Sequence, residues 1–378
     1  MKARTSLIPL SIVCIAATST VTPLLADTTW ISTSSTTFST AGNWNNGLPS
    51  TGPQLGIFAD SATIQHTLDV AGTARVAIGF RFDAFAGGGG FIFNSSSSPG
   101  PGIILRAGGT ANGIINNDDN TQTFNVPIKL TSNLGSQGAG AAMVFNAVTA
   151  NSHMIFNGVN QSSAPWTINL NGATNLTFTG SGNITVGSSG GGAIVNTNTG
   201  ANGGLIKSGS GRLTLGGTLA NTFIGGNVIN QGTVTAAKVN ALGSGNALKM
   251  TGGTFETGGL DQTLGTLDLA GNATIDLGNG VSNLKFSNSS LFDWTTFTLT
   301  FLNYTAGSDT IQFGTDNTGL TQDQLNQIIF GDLGNATAQI DANGFLTPSA
   351  VPEPSTIALG VLGGLGVLVG ARRKLNRK

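Results

Sequence analysis

Between its two ends, the apolar residues of this chain come in short bursts and not in the long blocks that build helices or large sheet cores. Phe91-Ile92-Phe93, Ile103-Ile104-Leu105, Ile114-Ile115, Met143-Val144-Phe145, Met154-Ile155-Phe156 and Leu213-Thr214-Leu215 are examples. Such clusters start at intervals of roughly 8–12 residues over much of residues 91–235. Gly, Asn and Ser fill the gaps, and Gly alone accounts for 57 of 378 positions. A strand this short buries too little to stand by itself, so it must pair with many others. The spacing predicts an all-β body and leaves sandwich, barrel and β-solenoid open.

Three features favour the solenoid, a parallel β-helix. The clusters suit short rungs better than the five- or six-residue strands typical of sandwiches. Gly and Asn tolerate the left-handed backbone that tight corners need. Only 9% of residues are charged, against about 25% in ordinary soluble proteins. Stacked rungs would set like charges about 4.8 Å apart, whereas Asn and Thr stack as hydrogen-bonded ladders. Alternation puts Leu213 inside and Thr214 outside.

The body is therefore read as a β-solenoid over 91–318. Residues 27–90 form an N-terminal cap and first strands, with Trp30, Trp44 and Phe58 plugging the open end, which would otherwise expose unpaired edges and an apolar core. Thr321-Gln322-Asp323-Gln324 has the pattern of a capping box, and Leu325, Ile328 and Ile329 supply a helical stripe. One short helix is predicted near 321–329, within a C-terminal cap and linker at 319–350.

Both ends read as addresses. Residues 1–26 combine Lys2 and Arg4, an apolar stretch from Leu7 to Ala17, and a small residue, Ala26, at the cleavage point of a signal peptide. Thr18, Ser19, Thr20 and Pro23 interrupt the run too early for a membrane span of about 20 residues. The single cysteine, Cys14, lies inside this segment, so the processed body has neither disulfide nor thiolate ligand. At the other end stands Val351-Pro352-Glu353-Pro354-Ser355-Thr356, then an apolar run from Ile357 to Gly370, then Ala371-Arg372-Arg373-Lys374. Pro352 and Pro354 fix the motif in an extended form. Residues 355–371 just suffice to span a bilayer. The basic end holds the cytoplasmic side and puts the body across the inner membrane.

This order of motif, apolar run and basic end over 351–378 resembles the PEP-CTERM sorting signal. The resemblance implies processing by an exosortase, a membrane-embedded transpeptidase that cleaves near Pro352, Glu353 and Pro354. It further implies Sec-type export across the inner membrane, transient anchoring there by residues 355–371, and a final place at the cell surface or outside, in an exopolysaccharide setting. A second resemblance covers 203–234. Gly204, Lys207, Gly209, Gly211, Leu213 and Gly232 are among the positions similar to the autotransporter-associated β-strand repeat, while Arg212 and Phe223 depart from it. It implies a right-handed parallel β-helix.

A search for chemistry ends without a site. His66 and His153 lack metal-ligand spacing and are read as exposed and structural. Glu256 is the only glutamate between the two addresses, so paired carboxylates for acid–base work are wanting. Asp118-Asp119 is read as a solvated turn, with a calcium site as the alternative. Arg75, Arg81 and Arg106 are scattered, and the glycine runs 87–90 and 190–192 lack the lysine and helix of a phosphate loop. Much of the basic charge lies in the two addresses, which leaves an acidic body and argues against nucleic acid.

The sequence thus points to no catalytic, cofactor-binding or metal residues and to no cofactor. Its functional residues are Pro352, Glu353, Pro354, Arg372, Arg373 and Lys374 of the sorting signal, and Ala26 at the signal cleavage. The function expected is that of a secreted, non-enzymatic surface or matrix protein, structural or adhesive in an exopolysaccharide-associated layer. A glycan-binding surface module is the alternative, and a β-helix polysaccharide lyase a more distant one.

Overall fold

Strands of two to six residues follow one another through the chain, and between Leu55 and Phe330 they find their hydrogen-bond partners one turn away rather than next in sequence. The computed structural model describes residues 26–349, except 50–53, 60–65, 71–74, 85–88, 96–101, 107–112, 132–142, 160–164, 172–174, 189 and 199–201; of strand Arg75–Ala77 it describes only the backbone. The chain visits Leu55–Ala59, Thr67–Asp69 and Arg75–Ala77, then returns to Gly79–Asp83, Ile92–Asn94 and Ile103–Arg106. Successive visits pair in parallel and in register, with Gly56 beside Phe80, Leu68 beside Phe93 and Val76 beside Ile104. Repetition gives a solenoid-like coil of roughly 20–30 residues per turn. Its sheets run unbroken through residue 91, so strands from Leu55 onward already belong to the coil.

The coil has three sides. A 10-stranded sheet forms the first and a 13-stranded sheet the second. The third holds a 5-stranded sheet early and a 3-stranded sheet late. Between Val195 and Gln262 the described residues place no strand on it. Alternation decides what fills the middle: Leu213 and Leu215 are each 1% exposed, while Thr214 between them faces outward, as the sequence suggested. Equivalent inward residues of successive turns stack as ladders. One runs Phe93, Phe124, Phe156, Val186, Leu215, Ala236. Its rings lie face to face, Phe93 on Phe124 at 4.7 Å and Phe124 on Phe156 at 4.9 Å between centroids.

Corners stack as tightly as strands. Gly232 has φ +72°, and a Cβ there would lie 2.4 Å from the carbonyl oxygens of Gly209 and Gly211 one turn below, so only glycine fits. The conformation and the close approach both demand it.

At the amino end, Thr28–Thr29 adds a strand to Leu55–Ala59. Trp30, Phe38, Trp44 and Phe58 are buried there with edge-to-face contacts of 5.2–5.5 Å, and Trp44 Nε1 donates to the Phe38 carbonyl at 3.0 Å. Aromatic contacts of this kind contribute roughly 0.5–1.5 kcal/mol each beyond area burial.

At the other end helix α1 covers Gln322–Asn326, shorter than the predicted 321–329. The Thr321–Gln324 capping box is present in both directions. Ile328 and Ile329 leave the helix for strand Ile328–Phe330, which pairs in parallel with Leu299–Phe301. Two β-branched residues with a ready ladder partner are better placed there than on a helix. Ala336–Ile340 and Leu346–Pro348 then add antiparallel strands, so the parallel pattern stops.

Candidate functional site

On a coil of stacked rungs, a concavity arises where successive corners differ in length. Strands Ala273–Asp276, Leu299–Leu302 and Ile328–Phe330 lie in register on the 13-stranded side. Their exits diverge: a tight Gly278-Asn279-Gly280 turn, a longer loop from Asn303 to Ser308, and a 3-10 turn at Gly331–Leu333. Between them opens a cleft of about 480 Å³, lined by Asn279, Val281, Asn303, Tyr304, Ser308, Asp332 and their neighbours.

Its frame is rigid. Asn303 adopts left-handed backbone at φ 57°. Its side-chain amide donates to Asp276 Oδ1 at 2.7 Å, and its backbone N–H donates to the Asp332 carboxylate. Buried Asp309 fixes the loop from beneath, accepting from the Thr305 N–H at 2.7 Å and the Ser282 N–H at 2.8 Å. Tyr304, the chain's one tyrosine, packs half-buried and edge-on against Phe330, centroids 4.9 Å apart. Burial and the nearby Asp309 charge push its phenol pKa up, so the hydroxyl stays neutral and able to donate. Among the described residues, the Tyr304 hydroxyl, the Asn279 amide and the Thr305 and Ser308 hydroxyls have no protein partner.

The residues singled out from sequence do not meet here. Ala26 is exposed, and its carbonyl accepts from Gln54 Nε2 at 3.0 Å. The following residue is docked into the first strands, Asp27 Oδ1 accepting from the Leu55 N–H at 3.0 Å. Cys14, Pro352, Glu353, Pro354, Arg372, Arg373 and Lys374 lie outside the described residues, as does the apolar run 355–371. No helix among the described residues is long and apolar enough to cross a membrane.

Two readings need correction. Asp118 is no solvated turn residue: it is 2% exposed, and its carboxylate accepts from the Asn120 backbone, the Asn120 amide and the Gln122 amide at 3.1–3.2 Å. Asn116 and Ser152 complete this buried knot at a corner, and Asp119 accepts from Thr149 at 2.5 Å. Neither histidine is fully exposed. His153 Nε2 lies 3.0 Å from the Thr185 hydroxyl, and burial pushes its pKa down. The His66 ring packs on Phe91 at 4.7 Å. Among the described residues no group of three or more His, Cys, Asp or Glu could hold a metal ion.

Sequence reasoning missed two lysines that bond inward, Lys207 buried and Lys238 half-buried. Lys207 sits in an inward ladder between Phe178 and Ile229, and its ammonium donates to the carbonyls of Ser208, Gly209 and Gln231. Lys238 donates to the carbonyls of Gly192 and Leu219 and to Asn221 Oδ1 at 2.8–2.9 Å. Burial pushes both down to about 8. The signal for Lys207 was its inward parity with Leu205, just before a Gly-rich corner.

A family model described as the PEP-CTERM protein-sorting motif matches residues 350–374. No curated protein and no solved structure matches the chain. Fold and match together define a largely parallel β coil that carries a PEP-CTERM-like sorting motif near its C-terminus. That combination supports export and surface sorting, with an exosortase as the partner the motif implies.

Proposed function

We propose that this chain is a secreted, non-enzymatic surface or matrix protein, structural or adhesive in an exopolysaccharide-associated layer. The observation that carries the reading is the sorting motif at 350–374 behind an extended β coil. Export begins through Sec-type machinery with cleavage after Ala26, which leaves Asp27 as the first residue of the coil. An exosortase then acts at Pro352-Glu353-Pro354 while residues 355–371 rest in the inner membrane and Arg372, Arg373 and Lys374 hold the cytoplasmic side. The coil is right-handed, as the likeness of 203–234 to autotransporter-associated repeats implies. Its ends are caps, the aromatic cluster at Trp30 and the antiparallel strands after Phe330, which keep rung edges from pairing with other chains. What supports a non-catalytic role is that Asp118, Asp309, Lys207 and Lys238 are each tied into structural hydrogen bonds.

The test uses a C-terminal tag in the native host. Mature protein at the surface is expected to lack the tag, and Glu353→Gln to accumulate as a slightly heavier, membrane-bound form that keeps it. A tag retained on the unaltered protein at the surface would make the tail a permanent anchor and remove the exosortase from the reading.

A further inference from the structure

We propose that the corner cleft around Tyr304 is a binding site for a neutral, hydroxyl-rich saccharide. The proposal goes beyond the surface reading, which supplies only the place where such a ligand would be met.

The lining selects the chemistry. Tyr304 offers part of an aromatic face, held in place by Phe330, and Val281 beside it is 58% exposed. Together they suit the C–H face of a sugar ring. Around them stand the Asn279 amide and the hydroxyls of Thr305, Ser308 and Tyr304, none engaged by the protein among the described residues. These supply donors and acceptors in the mixed pattern that sugar hydroxyls require. A purely apolar ligand would bury these groups unpaired, at the cost of their lost hydration.

Charge narrows the class further. Asp332 is the one charged residue in the lining, with Asp276 and Asp309 behind it and no lysine or arginine. Phosphate- or uronate-bearing chains meet repulsion without a compensating cation. The volume of about 480 Å³ falls in the range of small-ligand sites, roughly 300–1,000 Å³. Because the rim crosses three rungs about 4.8 Å apart, it follows an elongated ligand for roughly 10 Å. The frame is built before binding, so little ordering remains to oppose it.

Calorimetry on the full chain, in a detergent without a sugar headgroup, tests the assignment. The probes are hexasaccharides of β-linked glucose, α-linked glucose and N-acetylglucosamine, with oligogalacturonate as the acidic counterpart. At least one neutral probe is expected to bind, and oligogalacturonate at least tenfold more weakly. Tyr304→Ala and Asn279→Ala should each weaken the neutral probe tenfold or more, and Tyr304→Phe only a few-fold. Tyr304→Ala also removes packing on Phe330; should it fail to fold, Asn279→Ala decides, since that side chain makes no hydrogen bond to the protein among the described residues. No neutral binder, equal binding of oligogalacturonate, or an Asn279→Ala variant that melts and binds as the parent does would each overturn the site. Correct surface sorting of a protein that binds none of the probes would sink this proposal and leave the sorting reading intact. Binding by a protein that is never sorted would do the reverse.

Discussion

Between residues 55 and 195 each full turn of the coil has strands on three sides and a filling in which phenylalanines stack; between 204 and 256 it has strands on two sides and a mostly aliphatic filling, with Phe223 and Phe255 as its buried rings. The same ladder shows the change, from Phe93, Phe124 and Phe156 through Val186 and Leu215 to Ala236. A second ladder runs Ile114, Phe145, Phe178, Lys207, Ile229, Met250, Leu269. Fewer residues per turn enclose a narrower interior, and close packing then excludes stacked rings.

The narrow region also loses ladder partners on its strandless side. Several of its backbone groups are satisfied by inward side chains instead. Asn246 donates to the Phe223 carbonyl at 2.9 Å, and Gln262 donates to the Lys238 carbonyl at 3.0 Å while accepting from the Ala241 N–H at 2.9 Å. Lys207 and Lys238 do the same for corner carbonyls. A solenoid can thus drop a whole side without orphaning its backbone, provided polar side chains point inward at the right rungs.

The largest break in this comparison comes from Leu213→Asp in the narrow region. It buries an unpaired charge and should cost several kcal/mol, while Thr214→Asp beside it, facing out, should cost under about 1 kcal/mol. Thermal melts of the two separate them, and equal losses would contradict the alternation.

Next in size is Phe124→Ala in the wide region, which opens the aromatic stack and should cost about 3–5 kcal/mol. Val234→Ala in the narrow region removes far less volume and should cost about 2 kcal/mol. Denaturant midpoints that rank them the other way would mean the wide interior is not the better filled.

Lys207→Met sharpens the polar half of the comparison. At neutral pH its net effect should stay within about 1 kcal/mol, because relief of a buried cation offsets three carbonyls left without their donor. Its signature is the pH dependence. Burial lowers Lys207 and Lys238 from 10.5 to about 8 in the folded chain, so the unfolded chain binds more protons between those values. Stability therefore rises as pH climbs through 8 toward 10.5 and is lowest below 8. Melts across that window should show a shallower rise in Lys207→Met, and an unchanged slope would remove Lys207 as its source.

The smallest effect belongs to the outer surface. Arg212 bonds Thr235 and Glu256 across successive rungs, half exposed to water. Arg212→Ala should cost under about 1 kcal/mol, and less still in high salt.

Much of the coil was legible because strand alternation and corner chemistry are local. Leu213 in, Thr214 out and a glycine at 232 follow from period and backbone freedom alone. The Thr321 capping box was legible for the same reason, its two bonds closing within four residues. Ile328 and Ile329 were misread because their strand partner, Leu299–Phe301, lies far back in the chain. Asp118 was misread likewise: Ser152, bonded within the same knot, comes from the following turn.

By itself the sequence determined the short strands, the corners, the inward parity of strand residues and the sorting motif near the C-terminal end, since each depends on neighbours along the chain. Only the tertiary structure decided which rungs stack, how wide the interior is at each, and which polar side chains are buried. It also decided that corners of unequal length at 278–280, 303–308 and 331–333 leave a cleft. These depend on contacts between residues a full turn apart, and their register is set by the sum of many weak ladder interactions that no local pattern records.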